Sequence, residues 1–511
     1  MADIKPEEKG GVILVLDVGT TNIKASIVDK NGVILALKKS HLPTTSPLSG
    51  YHEIKPDALW ADIQILMKEA AQGYESSIAA VGISTHRCSF VTWNKTTDQH
   101  LHNFITWSDQ RACKMCDDWN NSYVVRISKS ILWFLGKLFG SSHMVCAACF
   151  TVRPANVQMR LKWVMENVPE AGKLYNQGEL SFGTIDTWLV HKLTGGKMWA
   201  TDYTNAGATG IYDMWGYKWC PFMTTVFSNP IKALPEVRDS NSNFGNVSKE
   251  LELGFTAPIM SIIADQQASM LGNLLLDKND FKLTLGTLLS CDLMTESDVH
   301  PVAMSVYPQI AWKFSEESIC YMAECRAFEM RGKCLDRLLT EALVSSLDQM
   351  DSLAASVNGS DWVFFTGPSD AVEFLSQFSR AGLSPAEMVR ATLEAHVFRC
   401  KTIMDEIIAF YGTPKRMIVD GGASASHFIL SHLSALTGIK IYVNSSTNEG
   451  ALMGAFYLAA VGVGWWKSTD DLKNSVKLSH RLIEPADIDV ESFTNKFTEW
   501  KQLKTETLGI L

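Results

Sequence analysis

The sequence has no basic excess. Its 46 lysines and arginines stand against 55 aspartates and glutamates, a formal net charge of −9. Nucleic-acid binding leaves a basic stripe, so no nucleic-acid partner is expected. Long apolar runs are also missing. The longest, Ala451 to Trp466, is interrupted by Gly454, Gly462 and Gly464. It falls short of the roughly 20 residues that span a bilayer, so it reads as a buried helix and no membrane span is expected. The opening residues, MADIKPEEKGG, are charged and lack the apolar segment of a secretory signal, which points to a cytoplasmic protein. Eleven cysteines in 511 residues are too sparse for a disulfide scaffold and read as reduced thiols. Two CxxC spacings, Cys113–Cys116 and Cys146–Cys149, are compatible with zinc. They sit in helix-like, Trp- and Leu-rich stretches without turn glycines between the cysteines, so packing is expected instead. What remains, 46% hydrophobic and 20% charged residues, is ordinary for a globular protein of two to four domains.

Hydrophobic periodicity organises the chain. Residues 1–10 read as a disordered tail. Val12–Leu16 is a β-branched, apolar strand; Asp17–Asn22 is a tight turn; Ile23–Val28 and Val33–Leu37 are further strands, joined by Asp29-Lys-Asn-Gly32, whose Asn-Gly pair suits a hairpin. A helix follows from Pro56 to about Gln72, then a strand at Ile78–Ile83 ending in Ser84-Thr-His-Arg87. Ile259–Ala264 reads as a strand entering a helix near Asp265. The pattern then restarts. Phe281–Leu285, a Gly286-Thr287 turn and Leu288–Met294 repeat the opening meander, and Arg416–Asp420 leads through Gly421-Gly422 into a helix at Ser426–Leu436. Two copies of a meander with βα units predict a two-domain α/β protein with a cleft between its halves and a boundary near residue 275.

Four elements have the chemistry of one phosphate-handling site. Asp17-x-Gly19-Thr20-Thr21 offers turn amides and hydroxyls to an anion, with a carboxylate able to hold Mg2+, often through water. Gly286-Thr287 echoes that turn. Asp420-Gly421-Gly422 opens a helix, where a backbone can approach a nucleotide closely. Asp265-Gln266-Gln267 stands at a strand-to-helix junction and presents a carboxylate. Singly, each has an ordinary reading: a DxGT turn is usually just a hairpin, an Asp at a helix start usually a cap, a Gly-Gly after a strand usually a turn. Their order is what carries the signal.

On the stretches LDVGTTNIKA, GISTHRCSFVTWN, FITWSDQRA, FGTIDTWLVHKLTGGKMWATDYTNAGATGIYD, ADQQASMLG, LTLGT, VDGGASASHF and EGALMGAFYLAAVGVGWW, the chain resembles the FGGY family of carbohydrate kinases. Within that family it is similar to the glycerol kinases, and among those to an animal branch numbered five. The resemblance covers roughly residues 11–466. It implies two ribonuclease-H-like lobes of the actin/hexokinase/Hsp70 fold: an N-terminal domain over 11–275, carrying substrate and base, and a C-terminal nucleotide domain over 276–466. An extension of unknown role follows over 467–511. It implies ATP and Mg2+ as cofactors, glycerol or a similar small polyol as substrate, and, from the habits of the family, a homodimer. By resemblance, Asp265 is the general base. Arg87 and Gln266 bind substrate hydroxyls alongside Asp265, and Asp17 stands on the Mg2+ side. Thr20, Thr21, Lys24, Gly286, Thr287, Gly421, Gly422 and Ser426 serve the nucleotide.

The departures cluster. Glycerol kinases place Glu after the substrate Arg; here it is Cys88. The aromatic expected over the substrate, in the segment matching Pro154–Trp163, is not evident. Leu288 follows Thr287 where a small residue is usual, Ser426 replaces the Asn of a GGASAN motif, and the Gly-rich segment after Glu324 is irregular. Phe364–Gly382 is shorter than the family's second signature. These departures support a second reading, a catalytically weak relative that binds a ligand or regulates lipid metabolism. Sugar kinases acting on xylulose, ribulose or gluconate are the nearest alternative substrate class.

Overall fold

The computed structural model describes residues 11–286, 288–295, 306–314, 319–331, 335, 344–357, 384–444 and 449–508. Of these, the side chains at 142, 143, 146, 288, 327–331 and 507–508 are left aside. The expected tail at 1–10, Thr287 and the segment 364–382 lie outside the described residues.

β1 (Val12–Val18) is buried at every position, because alternate side chains enter different cores. Val12, Leu14, Leu16 and Val18 join one apolar cluster, while Ile13 and Val15 join another on the opposite face. β2 (Asn22–Asp29) runs antiparallel to β1 and β3 (Ile34–His41) antiparallel to β2. Gly32, at φ 79°, closes the second hairpin, and Asp29 Oδ1 accepts from the Asn31 and Val33 amides. The first turn is tighter than expected. Asp17 stays in the ladder opposite Lys24, and the loop shrinks to Gly19–Thr21. After α1 (Pro56–Ala71), whose Leu59, Ile63, Leu66 and Met67 bury against the sheet, β4 (Ile78–Thr85) pairs parallel to β1. β5 (Ile259–Ala264) pairs parallel to β4, giving the order β5-β4-β1-β2-β3.

A smaller five-stranded sheet is built from short strands at 44–45 and 53–54, which precede α1, and at 90–94, 104–105 and 180–184, which lie between β4 and β5. A helical hairpin of α2 (Tyr123–Phe139) and α3 (Ser142–Cys149) lies between the strands at 104–105 and 180–184, and α4 (Ile185–Leu193) and α5 (Tyr203–Ala208) come after them. α6 (Asp265–Gly272) leaves the end of β5.

The second sheet repeats the first. β6 (Phe281–Leu285) pairs antiparallel with β7 (Leu288–Thr295). β8 (Val306–Trp312) lies at the edge, so that β7 meets β9 (Cys320–Arg331) first. β10 (Arg416–Asp420) and β11 (Lys440–Asn444) add in parallel, and β12 (His480–Ile483) closes the far edge. The stretch after 466, expected as a terminal helix or partly ordered extension, supplies β12 and a helix at Val490–Leu508. Phe493, Phe497 and Trp500 of that helix bury against Phe398. Phe398 belongs to α7 (Pro385–Tyr411), which is started by a Ser384/Glu387 capping box.

The lobes meet where α8 (Gly450–Gly462), the buried helix expected at the longest apolar run, crosses α6 and the first sheet. A Cβ on Gly454 would stand 1.8 Å from the Ala268 carbonyl oxygen, and one on Gly272 would stand 1.9 Å from that of Gly450. Only glycine permits this contact, which fixes the second lobe directly behind Asp265.

Candidate active site

Asp265 is the first residue of α6 and sits at the C-terminal end of β5, where a parallel α/β sheet opens its crevice. The Gln266 amide donates to Asp265 Oδ1 at 2.8 Å. The side chain is 21% exposed, enough to trade a proton with a molecule in the cleft. Its placement rests on the Thr204-Asn205 motif. The Thr204 hydroxyl accepts from the Ala264 amide at 2.8 Å and donates to Asp202 at 2.9 Å. Asp202 also takes the Thr204 and Asn205 amides and the Ser240 hydroxyl. Asp202 is fully buried, so this network locks the residue preceding Asp265 from beneath.

Arg87, just beyond β4, is buried. Its Nη2 donates to Glu324 Oε2 at 2.7 Å, and its Nε stands 3.9 Å from Asp265 Oδ1. Burial works against the guanidinium charge, but Glu324 and then Asp265 outweigh it and hold the cation firmly protonated. Glu324 also pairs with Arg326. Burial nevertheless raises its pKa to about 7, with Arg87 opposing. Glu324 belongs to the second sheet, so the Arg87 pair crosses the lobes. Cys88 adopts φ 67°, uncommon for a residue with a side chain. Its thiol points to the Ala208 carbonyl at 3.2 Å, and its own carbonyl accepts from buried Arg160 at 2.7 Å.

His86 ties this loop to the first turn. Nδ1 lies 3.1 Å from both the Val18 and Gly19 carbonyls, and Nε2 lies 2.8 Å from the Ser89 hydroxyl. Carbonyls only accept, so Nδ1 carries the proton and Nε2 accepts from Ser89. Burial lowers the pKa of His86 and keeps the ring neutral.

Asp17 is buried, and burial raises its carboxyl pKa to about 6, although Lys24 and Ser84 oppose the shift and Asp265 adds to it. Asp17 and Asp265 therefore share one electrostatic neighbourhood. Lys24 Nζ stands 4.0 Å from Asp17 and pairs with Glu449, at the start of α8. Thr20 is half-buried and Thr21 exposed at the turn between.

From the second sheet, fully buried Lys282 reaches the same region. Its Nζ donates to Gln266 Oε1 at 2.9 Å and lies 3.2 Å from Asp292 and 3.9 Å from Asp420. Burial opposes its charge, but Asp420 and Asp292 prevail and raise its pKa. Thr284 also donates to Gln266 Oε1, at 3.3 Å. The side-chain oxygen of Gln266 is thus held by the second lobe. Ser269 of α6 donates to Asp420.

Gly421, at φ 89°, follows β10, and a Cβ there would stand 2.5 Å from the Leu285 carbonyl oxygen and 3.0 Å from the Gly286 amide nitrogen. The turns after β6 and β10 are therefore in backbone contact. Beside them, a Cβ on Gly422 would meet no described residue within 4 Å, which leaves room against the main chain among the described residues. Ser426 is buried and caps its helix (His427–Thr437). Its hydroxyl accepts from the Ile429 amide and donates to Asp351 at 2.6 Å. Of the residues singled out from sequence, Asp17, Lys24, Arg87, Asp265 and Gln266 converge, Gly286 and Gly421 touch, and Ser426 is engaged by Asp351.

Lys282, Glu324, Asp292 and the Asp202 network were not singled out. A lysine in the apolar run FKLTL was the available signal, since a charge on a buried strand needs partners. Glu324 had none in sequence, because its partner lies 237 positions away. Of the CxxC cysteines, Cys113 is exposed, Cys116 buried and Cys149 intermediate, while the Cys146 side chain lies outside the described residues. Among the described residues, no group of three or more His, Cys, Asp or Glu is placed to hold a metal. Asp17 could hold a divalent cation together with water and substrate phosphates, the usual habit of Mg2+. Asp17 fits that task, because its Oδ1 is buried without a hydrogen bond of its own.

Paired sheets of this topology, with carboxylates and glycine turns brought together between them, form an actin/hexokinase-like two-domain fold. The N- and C-terminal models of the FGGY family of carbohydrate kinases match residues 12–272 and 342–463, and the chain belongs to that family. "Glycerol kinase 5" of Bos taurus is 32% identical, covering 93% of this chain and 92% of its own length. The Homo sapiens protein of the same name is 33% identical, covering 91% and 89%. The crystal structure of Plasmodium falciparum glycerol kinase with ADP superposes with a TM-score of 0.84 at 23% identity, covering 98% of this chain and 99% of that one. Gluconate kinase from Lactobacillus acidophilus follows at 0.78 and 18%, covering 97% and 98%. Among the described residues no helix is long and apolar enough to cross a membrane.

Proposed function

We propose that the protein is an ATP-dependent kinase of glycerol or a closely similar small polyol, transferring the γ-phosphoryl group to a primary hydroxyl and giving sn-glycerol 3-phosphate when glycerol is the acceptor. One observation carries this reading: Arg87 and Asp265 stand 3.9 Å apart, a buried fork of donors beside a partly exposed carboxylate. Arg87 and Gln266 bind the polyol oxygens. Asp265 accepts the proton of the attacking hydroxyl as its oxygen bonds to the γ-phosphorus and the bond to ADP breaks. In phosphoryl transfer most of the barrier is lowered by positioning and electrostatics, and a general base adds roughly 10²–10⁴-fold. Gly286, Gly421 and Gly422, with Thr20, Thr21 and Thr287, serve the nucleotide. Ser426 serves it by capping the adjoining helix. Lys24 acts through Asp17 and Glu449. A Mg2+ ion held by Asp17 and the phosphates would neutralise charge as it develops. Closure of the two lobes excludes water and directs transfer away from hydrolysis. We assign substrate and base to 11–275, the nucleotide to 276–466, and a buttressing role to 467–511.

A second reading, a different polyol or sugar as acceptor, is favoured by Cys88. Its thiol is turned to the Ala208 carbonyl and offers no carboxylate to a substrate hydroxyl, and Glu324 is occupied by two arginines. The homologues named for glycerol favour the first reading. The test is a coupled ADP-release assay across glycerol, other small polyols, xylulose, ribulose and gluconate. Preference for glycerol supports the first reading and preference for a sugar the second. No ADP release with any acceptor, together with retained ligand binding, supports a regulatory relative.

A further inference from the structure

α2 presents an apolar face to solvent. Tyr123, Ile127, Ile131, Phe134 and Leu138 recur at steps of three and four, so they form one stripe along the helix, and each is between 52% and 82% exposed. The stripe runs about 22 Å at 1.5 Å per residue. It is not the face that holds the hairpin together. Gly136, on the opposite side, is buried, and a Cβ there would stand 2.8 Å from Val145 of α3. The helix ends are properly closed by Ser122, which accepts from the Val125 amide, and by Gly140 in the left-handed region. α2 is therefore a well-formed helix with its most apolar side unburied, where monomers rarely expose such contiguous surface.

The charge around the stripe is of one sign. Arg126 and Lys137 are exposed beside it, Lys129 is half-buried on the Gly136 side, and no aspartate or glutamate occurs between Asp118 and Glu166. In a chain of net charge −9, the acidic excess thus lies elsewhere. Trp133, half-exposed, carries Lys137 Nζ 5.9 Å from its ring centre. Apolar and aromatic side chains on one face, flanked by Lys and Arg, are the make-up of helices that lie in a membrane interface. A second copy of the chain is a poorer occupant, because a two-fold contact would set like cations against each other.

We infer that the α2–α3 hairpin is a docking surface for an anionic lipid membrane, on which α2 lies flat with its stripe among the acyl chains and Arg126 and Lys137 against the headgroups. This does not depend on the proposed substrate.

The test is co-sedimentation of the full chain with two kinds of vesicle: phosphatidylcholine alone, and equal parts phosphatidylserine and phosphatidylcholine. The chain should pellet with the anionic vesicles and less with the neutral ones, and added salt should weaken the binding. Ile131→Asp with Phe134→Asp should weaken it about tenfold or more. Arg126→Glu or Lys137→Glu should each weaken it about fivefold on anionic vesicles. All four changes are at exposed positions on α2 that supply no residue to the proposed site, so the rate of phosphoryl transfer should not change. A wild-type chain that stays in solution with both vesicles overturns the inference, as does binding that survives Ile131→Asp with Phe134→Asp. If instead those substitutions dissolve a concentration-dependent dimer seen by light scattering, without vesicle binding, the face is a self-interface and the inference fails.

Discussion

Arg87 donates to Glu324 across 2.7 Å, joining a loop of the first lobe to a strand of the second over 237 positions of sequence. The pair holds the guanidinium edge that also faces Asp265. Glu324→Gln should therefore loosen Arg87. An imperfectly met buried charge costs about 1–3 kcal/mol, so the acceptor KM should rise about tenfold while ATP affinity, measured by calorimetry, changes little.

Asp265→Asn removes the proton acceptor and keeps the shape. The turnover number should fall by about 10²–10⁴-fold with nucleotide binding retained. Unchanged turnover would remove Asp265 from the role of base.

The carboxyl of Asp17 is raised from 3.8 to about 6 by burial. A folded pKa above the unfolded one means the native state holds the proton more tightly. The stability this contributes is fully present below pH 3.8 and is lost as pH rises through about 6. Asp17→Asn cannot ionise. It should match the wild type near pH 4 and exceed it above pH 6 by up to about 3 kcal/mol in urea unfolding. Mg2+ and ATP together should stabilise the wild type and not the variant. A variant less stable than the wild type at pH 8 would contradict this.

Gly421→Ala meets two obstacles, a backbone at φ 89° and a Cβ 2.5 Å from the Leu285 carbonyl oxygen. It should lower stability by more than about 1 kcal/mol and separate the two turns. The diagnostic result is a drop in ATP affinity larger than any change in acceptor KM.

Thr204→Val keeps the volume but leaves the Ala264 amide without its acceptor and Asp202 short of a donor. A cost of about 1–3 kcal/mol is expected in thermal unfolding. Because Ala264 precedes Asp265, the proposed base, turnover should fall while ATP affinity holds, and Thr204→Ser should restore most of it.

Local patterns made much of the fold legible. β1 is an apolar run up to Asp17, β5 to β7 are mostly apolar strands broken by single polar residues such as Lys282 and Asp292, and α1 and α7 carry clear helical periodicity; such elements are dictated by which side chains leave water. Less was legible where structure rests on pairs distant in sequence. The short strands of the inserted sheet have two to five residues each, too few for a period. β12 and the last helix have their apolar residues among charges, and partners distant in sequence, such as Phe398 and His432 for the helix and β11 for β12, decide where those residues go.

The candidate site divides in the same way. Sequence by itself determined the chemistry-bearing turns, Asp17 to Thr21, Asp265-Gln266 and Gly421-Gly422, because each needs a residue type that its backbone permits. It also determined the two-fold repetition of the sheets. Tertiary structure alone decided their partners: that Glu324 answers Arg87, that Lys282 holds Gln266 between Asp292 and Asp420, and that Ser426 is bound by Asp351. Those choices follow from burial, since a charge removed from water must find its counter-charge wherever the fold brings one. Tertiary structure likewise decided that the apolar stripe of α2, which periodicity alone would assign to a core, faces outward, because Gly136 lets the opposite side of the helix pack more closely on Val145.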